Sequence, residues 1–295
     1  MQVVIAGATG FIGRELARQA LIRGDQVFAL VREQSGAPFD EEARKEGRLE
    51  VLPFGADADV LMRGFGLEEG ARVVNAAGIV RERPGLDLEP AHLGVAQYLV
   101  QLAEELAAER LVHLSPLLRG DDPWTRSKAA AEQAIQASRR PWSILRSAPA
   151  FGPGDSLLDE VGAWMMRSPL IPRFLEEVPL DPVDVGDLAL ALLRAEDGVE
   201  ELGGGRLTWG ALLEACAEAA GKRLLGPRLS GETALRWARW LGGRTYGADL
   251  VPFTEDGFRR HQRGYTVEPN ALPRLLGREP RGLKDYLATE WPFRA

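Results

Sequence analysis

Three regularly spaced glycines follow the first apolar segment of the chain. Gln2–Ala6 is short and rich in β-branched residues, the glycines follow it as G-x-x-G-x-x-G, and a helical pattern begins directly after them. A buried strand, a glycine turn and a helix N-terminus in this order present backbone N–H groups and the positive end of the helix dipole to a pyrophosphate. We therefore predict a dinucleotide site; a tight turn that binds nothing is the alternative. The predicted contacts are Gly7, Thr9, Gly10, Phe11, Ile12 and Gly13.

Arg32 follows the second predicted strand, Gln26–Val31. In dinucleotide folds the end of this strand meets the adenosine ribose, where an acid binds the ribose hydroxyls and an arginine suits a 2′-phosphate. The expected acid is missing at Val31, although Glu33 is close, and Arg14 in the first turn of the first helix is a second cation for a phosphate. These residues favour NADP(H), with NAD(H) as the alternative cofactor. A solvated surface charge is the alternative interpretation of either arginine.

Small residues follow the fourth predicted strand, at residues 71–75. They allow the middle of a cofactor to lie against the backbone, with close packing as the alternative explanation. The predicted contacts are Asn75, Ala76, Ala77 and Gly78. Ser115 takes the corresponding position after the fifth predicted strand, Arg110–Leu114.

Composition excludes several classes of function. The chain has 295 residues, 45% of them hydrophobic and 27% charged, and a net charge of −7, which argues against nucleic-acid binding. Cys216 is the single cysteine, and His92, His113 and His261 share no ligand spacing, so we expect neither a disulfide nor a metal site. We find no apolar run of membrane-spanning length. Because the first strand begins at residue 2, we expect no targeting segment and a cytoplasmic protein.

Apolar strands alternate with helical patterns along the first half of the chain. This alternation predicts an α/β fold with a doubly wound parallel sheet. The last helix of this half is expected to begin near Pro123, with Asp122 as its N-cap. Residues 1–150 are the predicted dinucleotide-binding domain, with a return of the chain to the sheet at about 178–196.

Glycine and proline in Arg146–Asp155 mark the exit to a smaller C-terminal substrate lobe, predicted to comprise residues 151–177 and 197–295. Within it, residues 156–175 and 225–265 are expected to determine substrate specificity, although they carry no substrate signature that we can name. Trp237 and Trp240 share one helical face and are expected to form core or a partner surface. A protein partner or a homo-oligomer is therefore compatible with the sequence.

Several motifs in order resemble the short-chain dehydrogenase/reductase superfamily, in its extended or atypical branch. They are GATGFIG (7–13), ALVRE (29–33), NAAG (75–78), LVHLS (111–115), WTRSK (124–128), ILRSAPAFGPGD (144–155) and LPRLLGREPRGLKDYL (272–287). The closest subgroup resembles the nucleotide-binding accessory subunit of respiratory complex I and its bacterial relatives. The resemblance implies a Rossmann fold that binds a nicotinamide dinucleotide.

The resemblance also implies where catalytic residues belong. In the family, a tyrosine in Y-x-x-x-K is the general acid/base, the lysine lowers its pKa and holds the nicotinamide ribose, and a hydroxyl after the fifth strand polarises the substrate. Here Lys128 matches the lysine, but Trp124 replaces the tyrosine, and Leu117 stands where the hydroxyl usually lies. An indole N–H is a donor only and cannot be a proton-transfer base near neutral pH. Ser115, Ser147 and Ala148 complete the implied cofactor contacts.

Two functional hypotheses follow from this pattern. The first is a cofactor-binding protein with a degenerate catalytic tyrosine, acting as a sensor, a scaffold or an accessory subunit. The alternative is an NAD(P)H-dependent oxidoreductase, or an enzyme like the nucleotide-sugar epimerases and dehydratases, that uses another proton donor. The four tyrosines cannot be assigned that role from sequence, and Tyr98 is expected to belong to the core; they are Tyr98, Tyr246, Tyr265 and Tyr286.

Overall fold

The chain forms two compact units in the computed structural model, which describes residues 1–32, 41–80, 82, 85–167, 173, 175–233, 236 and 255–294. The first unit comprises Met1–Ser147, Val185–Leu202 and Asn270–Arg278. The second comprises Ala148–Asp184, Gly203–Pro269 and Glu279–Ala295. Glu33, Trp237, Trp240 and Tyr246, which the sequence analysis singled out, lie outside the described residues.

The elements are numbered in chain order. The strands are β1 (Gln2–Ala6), β2 (Gln26–Val31), β3 (Leu49–Pro53), β4 (Arg72–Asn75), β5 (Arg110–Pro116), β6 (Trp142–Ser147), β7 (Ala150–Phe151), β8 (Pro179–Leu180), β9 (Val183–Asp184), β10 (Gly198–Leu202) and β11 (Leu207–Thr208). The helices are α1 (Phe11–Ile22), α2 (Glu41–Lys45), α3 (Ala58–Phe65), α4 (Val95–Glu105), α5 (Pro123–Gln136), α6 (Ser156–Arg167), α7 (Val185–Leu193), α8 (Trp209–Ala219), α9 (Glu255–His261), α10 (Leu272–Leu276) and α11 (Leu283–Thr289). A π-helical turn, Pro90–Gly94, leads directly into α4.

The first unit is built on a seven-stranded parallel sheet in the order β10-β6-β5-β4-β1-β2-β3. The predicted doubly wound Rossmann-type sheet is thereby confirmed. Strand β1 has β2 on one side and β4 on the other, so the direction in which the chain crosses the sheet reverses there. Ligands of such sheets bind beyond the carboxyl ends of the strands at this switch point. The glycine turn follows β1 and Asn75 ends β4, so both lie at that place.

Apolar side chains on both faces of the sheet explain why it is buried. Phe28, Leu99, Leu102 and Ile135 belong to a continuous core that joins the sheet to α3, α4 and α5. Burying one such side chain contributes about 1.5–3 kcal/mol. Helix α1 packs against α7. The sheet is therefore a rigid base for the residues at its edge.

The structure places one strand differently from the sequence analysis. Gly198–Leu202 was assigned to the smaller lobe, yet it is strand β10 and pairs with β6 at the edge of the large sheet. Its central residues, Glu200 and Glu201, are charged, so the apolar pattern that marks the other strands is weak there. The apolar pattern of Glu89–Ala108 predicts one helix, but the structure has the π-helical turn Pro90–Gly94 followed by the shorter helix α4.

The second unit contains two short strand pairs, β7 with β9 and β8 with β11. Helix α8 packs against α6 and α11. Cys216 is buried, and burial raises the pKa of its thiol to about 12. In the described part of the chain, no helix is long and apolar enough to cross a membrane. Nor do the described residues bring together three His, Cys, Asp or Glu side chains as a metal site.

Candidate nucleotide site

Two of the three turn glycines are required by the fold itself. Gly7 has φ +83°, and a Cβ there would lie 2.7 Å from the backbone N and Cα of Ala77. A Cβ on Gly13 would lie 2.0 Å from the carbonyl oxygen of Gly7. Both contacts are far inside van der Waals distance and involve backbone atoms. Gly7 and Gly13 therefore allow β1, α1 and the end of β4 to approach one another.

Gly10 has a different explanation. Its φ of −79° is open to any residue, and a Cβ there would lie 3.3 Å from the Gly7 carbonyl, a contact that a small shift relieves. The residue is exposed, and it is the N-cap of α1. No side chain caps this helix end, and its first turn contains no acidic residue. The fold does not require a glycine here, whereas a ligand approaching the bare helix end does.

The end of β4 forms the neighbouring wall. Asn75 is buried, and its side-chain oxygen accepts a hydrogen bond of 3.0 Å from the Ala77 N–H. The Ala76 N–H donates to the carbonyl of Ala6 at 3.0 Å. These bonds hold the small residues of the wall against the glycine turn.

Arg14 and Arg32 are the cations nearest in sequence to the turn and to the end of β2. Both are exposed, and neither forms an ion pair or hydrogen bond with a described residue. Their guanidinium groups are therefore open to a phosphate. The neighbouring surface arginine of α1 differs, because Arg18 is paired with Glu15 at 2.6 Å.

Two side chains form hydrogen bonds with the backbone of Ile79, the residue after this wall. The indole N–H of Trp124 donates to the Ile79 carbonyl at 2.7 Å, and the Ile79 N–H donates to His92 Nε2 at 3.2 Å. We call Ile79, His92 and Trp124 the Ile79 clamp. Trp124 is held in turn by the N-terminus of α5, where the predicted N-cap Asp122 is confirmed and accepts from the backbone N–H groups of Trp124 and Thr125.

Both ring nitrogens of His92 have partners. The Ser127 hydroxyl donates to the Trp124 carbonyl at 2.8 Å, and its oxygen lies 2.7 Å from His92 Nδ1. His92 Nε2 lies 3.2 Å from the Ile79 nitrogen and 3.1 Å from the Ile79 carbonyl oxygen, so the tautomer decides which of the two groups it bonds. Burial, and secondarily the charge of Lys128, lower the pKa of His92 to about 3. The imidazole is therefore neutral at physiological pH.

Lys128 lies behind the clamp, one helical turn after Trp124. It is 6% exposed, and its Nζ lies 2.6 Å from the position that a Cβ of Gly78 would take. Burial lowers the pKa of Lys128 to about 8, opposed by the charge of Glu132. Glu132 is bound to Arg146, which reaches it at 2.6 Å. Among the described residues, the ammonium has no hydrogen-bond or ion-pair partner.

Strand β5 contributes further buried polar groups. His113 and Ser115 are each 1% exposed, and neither imidazole nitrogen of His113 nor the Ser115 hydroxyl has a hydrogen-bond partner among the described atoms. Burial, then Lys128 and His92, lower the pKa of His113 to about 3. Leu117, where the family usually has a hydroxyl, is buried and donates its N–H to Ser147 at 3.1 Å. Ser147 ends β6, and Ala148 begins the second unit.

The structure thus brings most of the predicted residues to one edge of the first unit, and it adds some that sequence reasoning missed. Of the described tyrosines, Tyr98 donates to the Ala56 carbonyl at 3.0 Å in the core of the first unit, whereas Tyr265 and Tyr286 belong to the second unit. The missed residues are Ile79, His92, His113 and Glu132. His92 and His113 look unrelated in the sequence because they lie on different elements, the π-helical turn and β5, which only the fold brings together.

Comparison with known proteins gives a matching family model, related sequences and similar solved structures. The model of the NAD(P)H-binding family matches residues 7–150. The chain is 24% identical over 200 residues to the mitochondrial NADH dehydrogenase (ubiquinone) 1 alpha subcomplex subunit 9 of Dictyostelium discoideum, covering 64% of this chain and 53% of that protein. Over the residues that these matches cover, the chain is similar to the atypical short-chain dehydrogenase/reductases. The matching family is described as NAD(P)H-binding.

Other similar proteins carry the names of enzymes. Ceramide reductase of Caulobacter vibrioides is 28% identical over 197 residues, which cover 65% of this chain and 59% of that protein. The chain therefore spans less than two thirds of the length of either relative. UDP-glucuronic acid 4-epimerase of Bacillus cereus, solved with UDP-glucuronic acid and NAD, has a TM-score of 0.73 at 16% identity, covering 99% of this chain and 98% of that one. At that identity the likeness establishes the fold alone.

Proposed function

We propose that this protein binds NADP(H) and acts as a sensor, a scaffold or an accessory subunit, without tyrosine-dependent dehydrogenase chemistry. One observation carries the proposal: Trp124 stands in the tyrosine position, and its only side-chain donor is used by the Ile79 carbonyl at 2.7 Å. An indole neither accepts a proton there nor offers a free N–H to a substrate.

The turn and its neighbouring walls suit a dinucleotide. In this proposal the bare N-terminus of α1 and the exposed Gly10 receive the pyrophosphate, and the β4 wall borders the cofactor. A bound nicotinamide nucleotide supplies hydride transfer. The residues proposed to hold it are Gly7, Thr9, Gly10, Phe11, Ile12, Gly13, Arg32, Asn75, Ala76, Ala77, Gly78, Ser115, Lys128, Ser147 and Ala148.

The preference for NADP(H) rests on Arg32, with Arg14 as a second cation. Isothermal titration with both cofactors tests it: Arg32→Ala should weaken NADP(H) binding about 10-fold, which is one lost phosphate contact of about 1.4 kcal/mol, and leave NAD(H) affinity unchanged. Arg18→Ala is the matched control, because Arg18 is also exposed but is already paired. Equal or tighter NAD(H) binding by the wild type, with no effect of Arg32→Ala, would exclude the preference.

The absence of ordinary chemistry has its own test. The nucleotide carried through purification is identified by mass, and NADPH oxidation is then followed with common UDP-sugars. We expect bound NADP(H) and negligible turnover in the wild type, with some hydride chemistry appearing in Trp124→Tyr. A robust wild-type rate with sugar nucleotides contradicts the proposal.

A reductase with another proton donor is the second candidate. The buried Lys128, which has no partner among the described residues, favours it.

The partner of the protein is proposed from the comparisons, and its compartment from the sequence. The relation to a respiratory accessory subunit supports a protein partner, which co-purification from the native host tests, with a homo-oligomer as the alternative outcome. The cytoplasmic location stays a prediction.

A further inference from the structure

Lys128 is a buried cation that has no hydrogen-bond or ion-pair partner among the described residues of the first unit. The Nζ atom lies over Gly78, where a side chain of any size would displace it. Its potential counter-ion, Glu132, lies one helical turn further along α5 and accepts three hydrogen bonds from Arg146, at 3.0, 3.2 and 2.6 Å. An unpaired buried ammonium is costly for a protein to keep, so its retention calls for a function.

The other polar groups around Lys128 cannot supply a proton at neutral pH. The Trp124 N–H and the Ser127 hydroxyl are already donated to backbone carbonyls. His92 and His113 are neutral because burial lowers the pKa of each to about 3. The unpartnered hydroxyl of Ser115 can orient an oxygen atom, but it is not acidic.

We propose that Lys128 is the proton donor when a carbonyl compound is reduced at this site, taking the role that a tyrosine has in related enzymes. The inference rests on the nucleotide binding proposed above. The substrate class is an aldehyde, a ketone or a quinone whose oxygen reaches the Lys128 ammonium.

The step balances with a reduced nicotinamide nucleotide as the hydride source. The carbonyl carbon gains the hydride and forms a new C–H bond. The π bond of the carbonyl breaks, and its electron pair takes a proton from Nζ to form the hydroxyl. The carbonyl is reduced, the nicotinamide is oxidised, and the lysine is left as a neutral amine that regains a proton from water.

The surroundings suit such an exchange. Burial lowers the pKa of Lys128 to about 8, so the amine releases its proton more readily than an exposed lysine and is still mostly protonated at pH 7. The charged and titratable groups that act on it are Glu132 on the same helix, His92 on the π-helical turn and His113 on β5. Glu132 forms an ion pair with Arg146 at 2.6 Å, and the two imidazoles are neutral because burial lowers the pKa of each to about 3.

The first experiment measures the lysine directly, without turnover. The chain has only four lysines, so protein labelled with ¹³C at the lysine Cε should give four resolvable signals in a pH titration. We expect one signal to titrate near pH 8, to be missing in Lys128→Arg, and to persist in the control Lys222→Arg. A Lys128 signal that titrates near 10.5, the ordinary value, overturns the proposal.

The second experiment uses NADPH with 9,10-phenanthrenequinone as the carbonyl probe. Lys128→Arg keeps the charge but cannot release its proton, and Lys128→Met is included in case the arginine disturbs the pocket. At saturating NADPH we expect a wild-type rate that falls as pH rises through 8, and a loss of about 100-fold or more in both variants. Lys222→Arg should match the wild type.

The outcomes separate the two proposals. Binding of NADPH to the wild type is measured by fluorescence. If the wild type does not bind NADPH, both the proposed function and this inference are wrong. Bound NADPH with no oxidation by the probe, or with full activity in Lys128→Arg, overturns the donor role and leaves the binding function standing.

Discussion

The glycine turn and the Ile79 clamp lie in the same unit but treat their polar groups in opposite ways. At the turn, the N-terminus of α1 has no capping side chain, and Gly10 is bare and exposed. At the clamp, the Trp124 N–H, the Ser127 hydroxyl and both nitrogens of His92 are all occupied by partners from the same chain. One region is open to a ligand, whereas the other is closed upon itself.

This difference separates binding from chemistry. A site that binds an anion must leave donors unsatisfied until the ligand arrives. A residue that transfers protons must also be free to meet its substrate. The turn meets the first condition, whereas Trp124 at the clamp fails the second. Lys128 is the exception, since it lies behind the clamp yet has no hydrogen-bond or ion-pair partner in the described part of the chain.

The largest effect is expected at a turn glycine that the fold requires. In Gly13→Ala the new Cβ would lie 2.0 Å from the Gly7 carbonyl oxygen and 2.9 Å from Ala8 Cα, both backbone atoms. We expect a loss of about 3 kcal/mol in the free energy of unfolding, measured by urea titration. Gly64→Ala on the exposed face of α3 is the control, because nothing lies within 4 Å of its Cβ; it should be neutral or slightly stabilising. If Gly13→Ala and Gly64→Ala are equally stable, the turn accommodates the added Cβ at little cost in free energy.

Gly10 should behave in the opposite way to Gly13, because a substitution there should change stability little and nucleotide affinity strongly. In Gly10→Val the side chain projects where the fold leaves space, so we expect a change of about 1 kcal/mol in unfolding free energy. NADP(H) affinity should fall about 100-fold or more, or about 2.7 kcal/mol, measured by isothermal titration. Gly10→Ala should give an intermediate affinity. Full affinity in Gly10→Val would move the nucleotide away from this turn.

The difference between the glycine turn and the Ile79 clamp also explains which features the sequence could predict. The bounds of β2, the glycine turn and the Asp122 N-cap depend on neighbouring residues, so local pattern was enough to locate them. The clamp joins residues 13 and 45 positions apart, and no periodicity links Ile79 to His92 or Trp124. Trp124 was recognisable as a missing tyrosine, but the partner of its N–H was not. Strand β10 was assigned elsewhere because charged residues hide its pairing with β6.

Lowering the pH should destabilise the fold next to the clamp, through His113 on β5. The turn Gly7–Gly13 has no titratable side chain and should not respond. The folded-state pKa of His113 is lowered to about 3 by burial, against about 6.5 when unfolded. Between these values only the unfolded chain binds the proton, so stability is complete above pH 6.5 and falls as pH decreases. At pH 5 the loss from His113 is about 2 kcal/mol.

Urea unfolding of wild type and His113→Leu between pH 7 and 5 isolates this contribution, because other titrating groups cancel in the difference. Since His113 has no hydrogen-bond partner to lose, the leucine should be tolerated at pH 7. The pH slope of the variant should be smaller than that of the wild type. Parallel slopes would mean that His113 is charged or solvated in the folded protein.

The smallest effect is expected from the clamp hydrogen bond itself. Trp124→Phe keeps an aromatic ring but leaves the Ile79 carbonyl without its 2.7 Å donor, which should cost about 1 kcal/mol of unfolding free energy. Trp142→Phe in β6 is a matched control, because the Trp142 side chain has no hydrogen bond to any described residue. The difference between the two losses therefore reports the N–H bond rather than the lost ring area. If both variants lose the same amount, the N–H contributes nothing, and Trp124 stands in the tyrosine position as packing alone. A larger loss at Trp124, with NADP(H) affinity unchanged, would place its contribution in the closed region and leave the open turn to bind the nucleotide unaided.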